Sequence, residues 1–458
     1  MENENKLGKE KISKLLLAFS VPAIIGMLVN TLYNIIDRMY IGNIPEVGKL
    51  AITGVGITMP LMTIILAFGM LVGVGTAARI SLFLGKHEEE VAEKHLGNAF
   101  VLIIIFSILI TIMGLIFMEP LLKAFGASAD TEIYARQYMQ IIFMGTIVSM
   151  LSFGLNHSIR SDGSPKIAMF SMLIGAITNI ILDPILIFGF NLGVRGAAIA
   201  TVISQIVTTV WIMSYFLKGK STIKLKKKNL KLEKWIVLSI FSIGISPCSM
   251  QLAACVVQVI ANNSLKYHGG DLAIGAMTIV QSIGMIFLTP IFGLNQGSQP
   301  IIGYNYGAKQ YKRVKQTVLY GVVAATIIVT IGWLIVEMAP ELLIKIFNND
   351  PELLEIAKTG LKIYLAAIPV IGFQIVSSNF FQSIGKAKIS MFLSLLRQVI
   401  LLIPLMLILP NFIGLNGIWI AGALADVLSA IITGILFYSN IKKMNNESIV
   451  EEREVALA

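Results

Sequence analysis

A chain of 458 residues that is 56% hydrophobic and only 14% charged, with a mean hydropathy of +0.80, does not read as a soluble domain, where about a quarter of residues carry charge. The composition predicts an all-α polytopic membrane protein. The net charge of +10 is then a matter of loop asymmetry rather than of nucleic-acid binding, and two cysteines seven apart, Cys248 and Cys255, offer neither a disulfide framework nor metal-ligand spacing.

The opening residues, MENENKLGKEKISK, are polar, mixed in charge and without a small-residue cleavage site, so the first span is expected to stay in the chain. Apolar runs broken by Gly, Pro and charge clusters then predict twelve spans, at 15–41, 50–76, 95–118, 133–157, 166–190, 193–217, 235–264, 272–298, 316–339, 357–381, 388–410 and 414–439. Runs such as VLIIIFSILITIMGLIF (101–117) have about the length needed to cross a bilayer core. An even number of spans puts both termini on one side. That side and its alternate loops hold 26 Lys and Arg against 9 on the other, which predicts cytoplasmic termini.

The loop KGKSTIKLKKKNLKLEK (218–234) is the strongest contributor and divides the chain. It predicts an amino-terminal six-helix bundle (1–217), a basic linker (218–234), a second six-helix bundle (235–440) and a tail (441–458). The linker reads as a positive-inside anchor in preference to a specific anionic ligand site. The two halves match weakly but in order. A shift of 222 sets Gly75 on Gly297, Thr76 on Ser298, Gly85 on Gly307, Gly163 on Gly385, Lys166 on Lys388 and Met169 on Met391. A shift of 221 sets Gly193 on Gly414 and Gly196 on Gly417, and Pro22 meets Pro247. Six spans per half make the repeat parallel, with a pseudo-twofold axis along the membrane normal and binding expected between the halves.

Ionisable residues inside spans cost roughly 2.5–3.5 kcal/mol on insertion scales and are functional candidates by default. Here they are Asp37, Asp183, Arg397 and Asp426. Asn30, Asn34 and Asp37 fall on one stripe of the first helix; Asn179 and Asp183 share a face of the fifth, followed by Pro184; Thr201 lies a third of the way into the sixth. If these helices converge, two carboxylates, an amide and a hydroxyl line one pocket. Burial and a nearby like charge both disfavour the doubly ionised pair, so such a site could take a proton or hold Na⁺ through oxygen ligands. The competing reading is a polar network that only joins helices. Arg397, the single basic residue placed deep in a span, and Asp426 lack counterparts in the first half, where Gly175 and Gln205 stand; they predict a structural ion pair, with substrate binding as the alternative.

Met (21) and aromatics (9%) suit a cavity that accepts many lipophilic shapes, although packing is the commoner role for any one of them. Candidates for the cavity wall are Asn30, Tyr33, Asn156, Met62, Met172, Phe153, Gln281 and Met285, with Phe68, Met70, Phe287 and Phe373 as weaker ones. GVGTAA (73–78) imitates a dinucleotide fingerprint but follows no strand. No P-loop, H-E-x-x-H, G-x-S-x-G or histidine cluster is present, so neither ATP-driven transport nor an intramembrane enzyme is expected.

Twelve spans in two repeats, Asp37 in NIIDRMYIGN, and Asn179 with Asp183 in TNIILDP together resemble the multidrug and toxic compound extrusion (MATE) transporters, over about residues 12 to 440. Within that family the sequence is similar to the DinF-like branch and its MepA type. The resemblance implies two bundles around a V-shaped cavity and export of lipophilic and cationic compounds in exchange for H⁺ or Na⁺. It also implies a bacterial cytoplasmic membrane, a monomer, a link to antibiotic resistance, and no organic cofactor. It places the ion-coupling set on Asp37, Asp183, Asn179, Thr201 and Asn34, with any Na⁺ held at the two carboxylates. Pro22 matches a proline at which the first helix bends in some members. The other bacterial branch has acids on the seventh and tenth helices; here the seventh has none, and Glu352 and Glu355 stand at the start of the tenth. A flippase for a lipid-linked saccharide would need a cationic cavity, and a channel would pass current without coupled cargo.

Overall fold

The computed structural model describes residues 4–219, 221–347 and 350–457. Met1–Asn3 of the polar amino-terminal stretch, Lys220 of the basic loop and Ala458 of the tail lie outside the described residues. Among the described residues the chain is helical throughout, with no strand.

The first half runs α1 (Glu4–Lys9), α2 (Ile12–Gly42), α3 (Gly48–Ile57), α4 (Met59–Gly85), α5 (Glu89–Ile116), α6 (Met118–Ala124), α7 (Ala129–Met144), α8 (Thr146–Ser161), α9 (Pro165–Pro184) and α10 (Val194–Lys218). The second half runs α11 (Lys234–Gly307), α12 (Tyr311–Met338), α13 (Pro340–Lys345), α14 (Pro351–Tyr364), α15 (Ile368–Ser383), α16 (Ala387–Leu395), α17 (Ile403–Ile408), α18 (Pro410–Ile413) and α19 (Leu415–Leu457). Ten helical segments are long and apolar enough to cross a membrane, and twelve when each of two bent pairs counts as one span. The lipid-facing stripe is plain on α5, where Ile105, Ile108, Leu109, Ile112 and Ile116 are exposed while Ala92, Leu96, Ala99 and Ile103 are fully buried.

Three expectations need correction. The fourth and tenth predicted spans are not straight: α7 and α8 meet at 60°, and α14 and α15 at 51°. The seven-residue loop expected between the seventh and eighth spans shrinks to a sharp break: two helices, Lys234–Gly270 and Leu272–Gly307, meet at Gly270, whose non-helical φ of 68° a glycine tolerates without strain; Lys266, assigned to a loop, is helical. Arg397 is not the single intrahelical base, because Arg79 sits inside α4 and Arg160 inside α8, the latter only 3% exposed.

The repeat is visible in the backbone. Left-handed turns fall at Gly163 and Gly385 (φ 84° and 77°), at Gly193 and Gly414 (53° and 59°), and even at the non-glycine pair His87 and Lys309 (61° and 58°). A widened π turn, Ile185–Gly189, follows α9, and another, Leu396–Leu402, follows α16.

The halves meet along a seam of backbone contacts at the face that bears the linker. A Cβ at Gly75 would strike the carbonyl of Ile240, and one at Gly244 the carbonyl of Leu71; Gly85 and Gly307 press on Tyr304 and Leu82, while Gly293 and Gly297 press on Ile24 and Ser20. Polar bridges cross the same seam. Arg79 donates to the Ser239 carbonyl (3.2 Å) and to Ser242 Oγ (3.2 Å), and His95 Nε2 meets Ser239 Oγ at 2.8 Å.

The linker is not slack. Asp162, in the turn after α8, accepts hydrogen bonds from Tyr215 and from the backbone N–H groups of Thr222 (3.1 Å) and Ile223 (3.2 Å). Glu93 accepts from the Lys224 N–H (3.1 Å) and from Lys226 Nζ (2.7 Å). Asn98 donates to the carbonyls of Asn229 and Lys231 and accepts from the Glu233 N–H. Every one of these anchors belongs to the first half. Part of the basic charge read as a membrane anchor is thus neutralised within the protein.

Candidate functional site

Helices α2, α9 and α10 pack together because small residues stand at their crossings. A Cβ on Gly26 of α2 would lie 2.8 Å from Met172 Sδ of α9, and one on Gly175 of α9 would lie 2.5 Å from Thr208 Oγ1 of α10. The close approach brings four side chains out of solvent: Asp37 (7% exposed), Asn179 (0%), Asp183 (0%) and Thr201 (7%). Asn179 Nδ2 donates to Asp183 Oδ1 (3.2 Å) and points toward Thr201 Oγ1 at 3.5 Å. Asp37 and Asp183 stand close enough for each to be the hydrogen-bond partner of the other. Below them Pro184 has no N–H to give to the carbonyl one turn back, and the helix widens into its π turn there.

The polarity of this cluster is one-sided. Asp37 Oδ1, Asn179 Oδ1 and Asp183 Oδ2 are buried oxygens without a donor. Arg38, the neighbouring cation, is exposed and turns its guanidinium to Met59 Sδ (3.5 Å). Buried acceptors without donors are rare and demand an explanation. Two carboxyls beside an amide oxygen and a hydroxyl are a donor set for a hard cation or a proton.

The remaining sequence candidates scatter. Asn34 donates to the Asn30 carbonyl (2.7 Å) and to Asn30 Oδ1 (3.1 Å), so the two amides bond along α2. Tyr33 stands beside the carboxyl pair and next to Asn34. Asn156 joins α8 to α9 through the Ala168 carbonyl (2.9 Å) and Ser171 Oγ (2.6 Å). Met172 meets Gly26 and the Arg160 guanidinium. Phe153 packs on Gly69 and edge-on against His157, at 5.1 Å between ring centres. Met62 is half-buried against the core, Gln281 is half-buried and Met285 is 54% exposed, the last two on α11 and far along the chain from the carboxyls. Pro22 is buried within α2, which runs unbroken through it. Arg397 and Asp426 form an ion pair, with Tyr364 beside them.

Tyr138 was not among the sequence candidates. It is 3% exposed on α7, in the neighbourhood of Thr201, Asp37 and Asp183. The signal was there: Ala135, Tyr138, Met139 and Ile142 form the buried stripe of α7, and a hydroxyl on such a stripe needs a partner.

Comparison with known proteins identifies the family. The MatE family model matches residues 22–185 and 247–408, once in each half. The multidrug export protein MepA of Staphylococcus haemolyticus (strain JCSC1435) is 28% identical over 447 residues, 97% of each chain. MepA of Staphylococcus aureus (strain N315) is 27% identical over 432 residues, 94% of each. Among solved structures, the MATE multidrug transporter DinF-BH superposes with a TM-score of 0.88 at 39% identity, over 94% of this chain and 96% of that one. A MATE in the bent conformation superposes with a TM-score of 0.92 at 23% identity, over 98% and 99%. Two matched halves that together span most of the chain place this protein in the MatE family.

Proposed function

We propose that this protein is a secondary active exporter of lipophilic and cationic compounds, which it exchanges for H⁺ or Na⁺ by alternating access across a bacterial cytoplasmic membrane with both termini inside. The observation that carries the reading is the convergence of Asp37 and Asp183, buried, with unsatisfied oxygens and, among the described residues, no ion pair. The names of its relatives, multidrug export proteins and a multidrug transporter, support the substrate class. The reading takes residues 1–217 and 235–440 as two bundles that swing about the seam, joined by 218–234, with 441–458 as a tail.

In this scheme a cargo cation enters a cavity open on the face opposite the linker and is held by the charge on the carboxyl pair. The coupling cation competes for the same charge. Taken up at Asp37 and Asp183, it supplies the missing partner for the orphan oxygens and releases the cargo outward. Asn179 and Thr201 orient the pair, and Tyr138 shields it from lipid. The bundles then reorient and the coupling ion leaves inward. Cargo and ion must weaken each other's binding reciprocally. The membrane potential supplies about 2.3 kcal/mol per charge per 100 mV.

The test is ethidium efflux from proteoliposomes, with pH and Na⁺ gradients imposed separately. Efflux that follows one gradient and vanishes in Asp37→Asn and Asp183→Asn fits the reading. Full efflux in both variants overturns it.

A further inference from the structure

A second polar site lies far from the carboxyl pair, where the amino-terminal segment crosses the second half. The chain breaks between α1 and α2 at Glu10–Lys11, and Arg313 at the start of α12 holds the break: its Nη2 donates to the carbonyls of Leu7 and Glu10 (2.8 Å each) and its Nε to Asn305 Oδ1 (2.8 Å). The result is a cavity of about 310 Å³ lined by Lys9, Lys11, Ser13, Arg313, Gln316 and Tyr320. That is the lower end of ligand-sized volumes, about 300 Å³.

The charge around this cavity is of one sign. Arg313 spends its donors on carbonyl and amide oxygens, so no carboxylate balances it. Lys9 and Lys11 are exposed, and neither has an ion-pair partner among the described residues. The nearest acid in the chain, Glu10, turns to Lys14 at 3.4 Å. Ser13, Gln316 and Tyr320 add neutral donors on the same wall.

The helix faces that present these groups continue as lipid-facing stripes. On α2, Ser13 is followed four and eight residues on by Leu17 (65% exposed) and Val21 (45%). On α12, Tyr320 is followed at three and seven residues by Val323 (48%) and Ile327 (54%). A ring of cations at the interface with two apolar stripes running from it into the membrane matches one kind of ligand.

We infer that the Lys9–Lys11–Arg313 cavity binds the headgroup of an anionic phospholipid, with the phosphate held by Lys9 and Lys11 in the field of the Arg313 charge and acyl chains laid along the Leu17–Val21 and Val323–Ile327 stripes. One wall of the cavity belongs to the first half and the other to the second, so the lipid touches both partners of the seam and senses their relative position. This assignment stands apart from the carboxyl pair and does not depend on what the protein exports.

The test uses the full-length protein in mixed micelles with phosphatidylglycerol or phosphatidylcholine, with retained lipid read by native mass spectrometry. Wild type should retain phosphatidylglycerol in preference. A basic residue near anionic lipid contributes about fivefold, so K9Q/K11Q should cut the preference at least that far. K224Q/K227Q, which removes equal charge from the linker, should leave it unchanged. An equal loss in both double variants, or no loss in K9Q/K11Q, overturns the site. Displacement of the lipid by glycerol 3-phosphate at the same concentration shows that the acyl chains add nothing and overturns the lipid assignment.

Discussion

Where the first half buries Asp37, Asn179, Asp183 and Thr201, the second half, read at the shifts found above (225 at the first helix, 222 at the fifth, 221 at the sixth), has Asn262, Leu401, Leu405 and Gly422. Yet shifts of 222 and 221 reproduce the left-handed turns, and each half has one sharply bent helix pair. The duplicated property is backbone geometry, fixed by glycine and by helix breaks. The chemistry occupies one copy. What the second half keeps in its interior is a charge that is already balanced, Arg397 on Asp426, together with neutral groups: Asn379 donates to the Asn295 carbonyl and to Ser298 Oγ, while Asn295 Oδ1, Gln296 Oε1 and Gln374 Oε1 lack a donor but carry no charge. A scaffold repeat therefore does not imply a site repeat; the unbalanced half is where to look for a moving ion.

The largest test of this contrast is to remove the imbalance. Asp37→Asn and Asp183→Asn should each reduce gradient-driven efflux to the level of protein-free liposomes while the protein still folds and inserts, measured by ethidium efflux beside a melting curve. Supplying Asn262→Asp and Leu405→Asp in the second half should not restore it. Next comes the balanced pair. Breaking it with Asp426→Leu leaves Arg397 uncompensated, and buried pairs broken in this way lose about 3–5 kcal/mol. The double variant Arg397→Met/Asp426→Leu should recover most of that in thermal unfolding and retain efflux. An efflux-dead but stable double variant would move the pair from structure to function.

A smaller effect should follow at the seam. Gly244→Ala places a methyl against the Leu71 carbonyl, an overpacking of about 1–3 kcal/mol. It should shift the population toward a seam open on the linker face. Cys248, buried against Ala67 and Leu71, should then label faster with a maleimide in a Cys255→Ser background. An unchanged rate would show that the seam does not gate that face.

The smallest expected effect is one of pH. Burial pushes the Asp162 carboxyl up to about 7, against the pull of its hydrogen bonds from Tyr215, Ile223 and Thr222. The folded protein then holds a proton that the unfolded chain, near 3.9, releases. Its contribution is fully present below about pH 4 and lost as pH rises through about 7. Asp162→Asn should flatten the decline in melting temperature across that window; an identical decline in the variant would assign it to another group.

Much of this was legible in the sequence. Hydropathy located every span, and the carboxyl cluster followed from Asp37, Asn179, Asp183 and Thr201, because acids in apolar helices stand out against their surroundings. The helix bends did not show, since the residues around Gly145 and Ala367 are as apolar as a straight span would need. Tyr138 stood on a legible buried stripe of α7, but its partners did not show. Its hydroxyl gains meaning only when α10 brings Thr201 against it, and contacts between helices leave no mark on the periodicity of either. Arg79 and Arg160 were misplaced because a base close to a span end looks like a loop residue until the helix is seen to continue.

The docked linker carries a mechanical consequence. Residues 222–233 are fastened to the first half, so the free articulation shrinks to the junction at Glu233–Lys234, where α11 begins. The first half and its strap form one packed unit, and the start of α11, itself held by Arg79 and His95, leads from it into the second half. In the proposed exchange of access, so short a joint favours a rocking stroke of the second half over a sliding one.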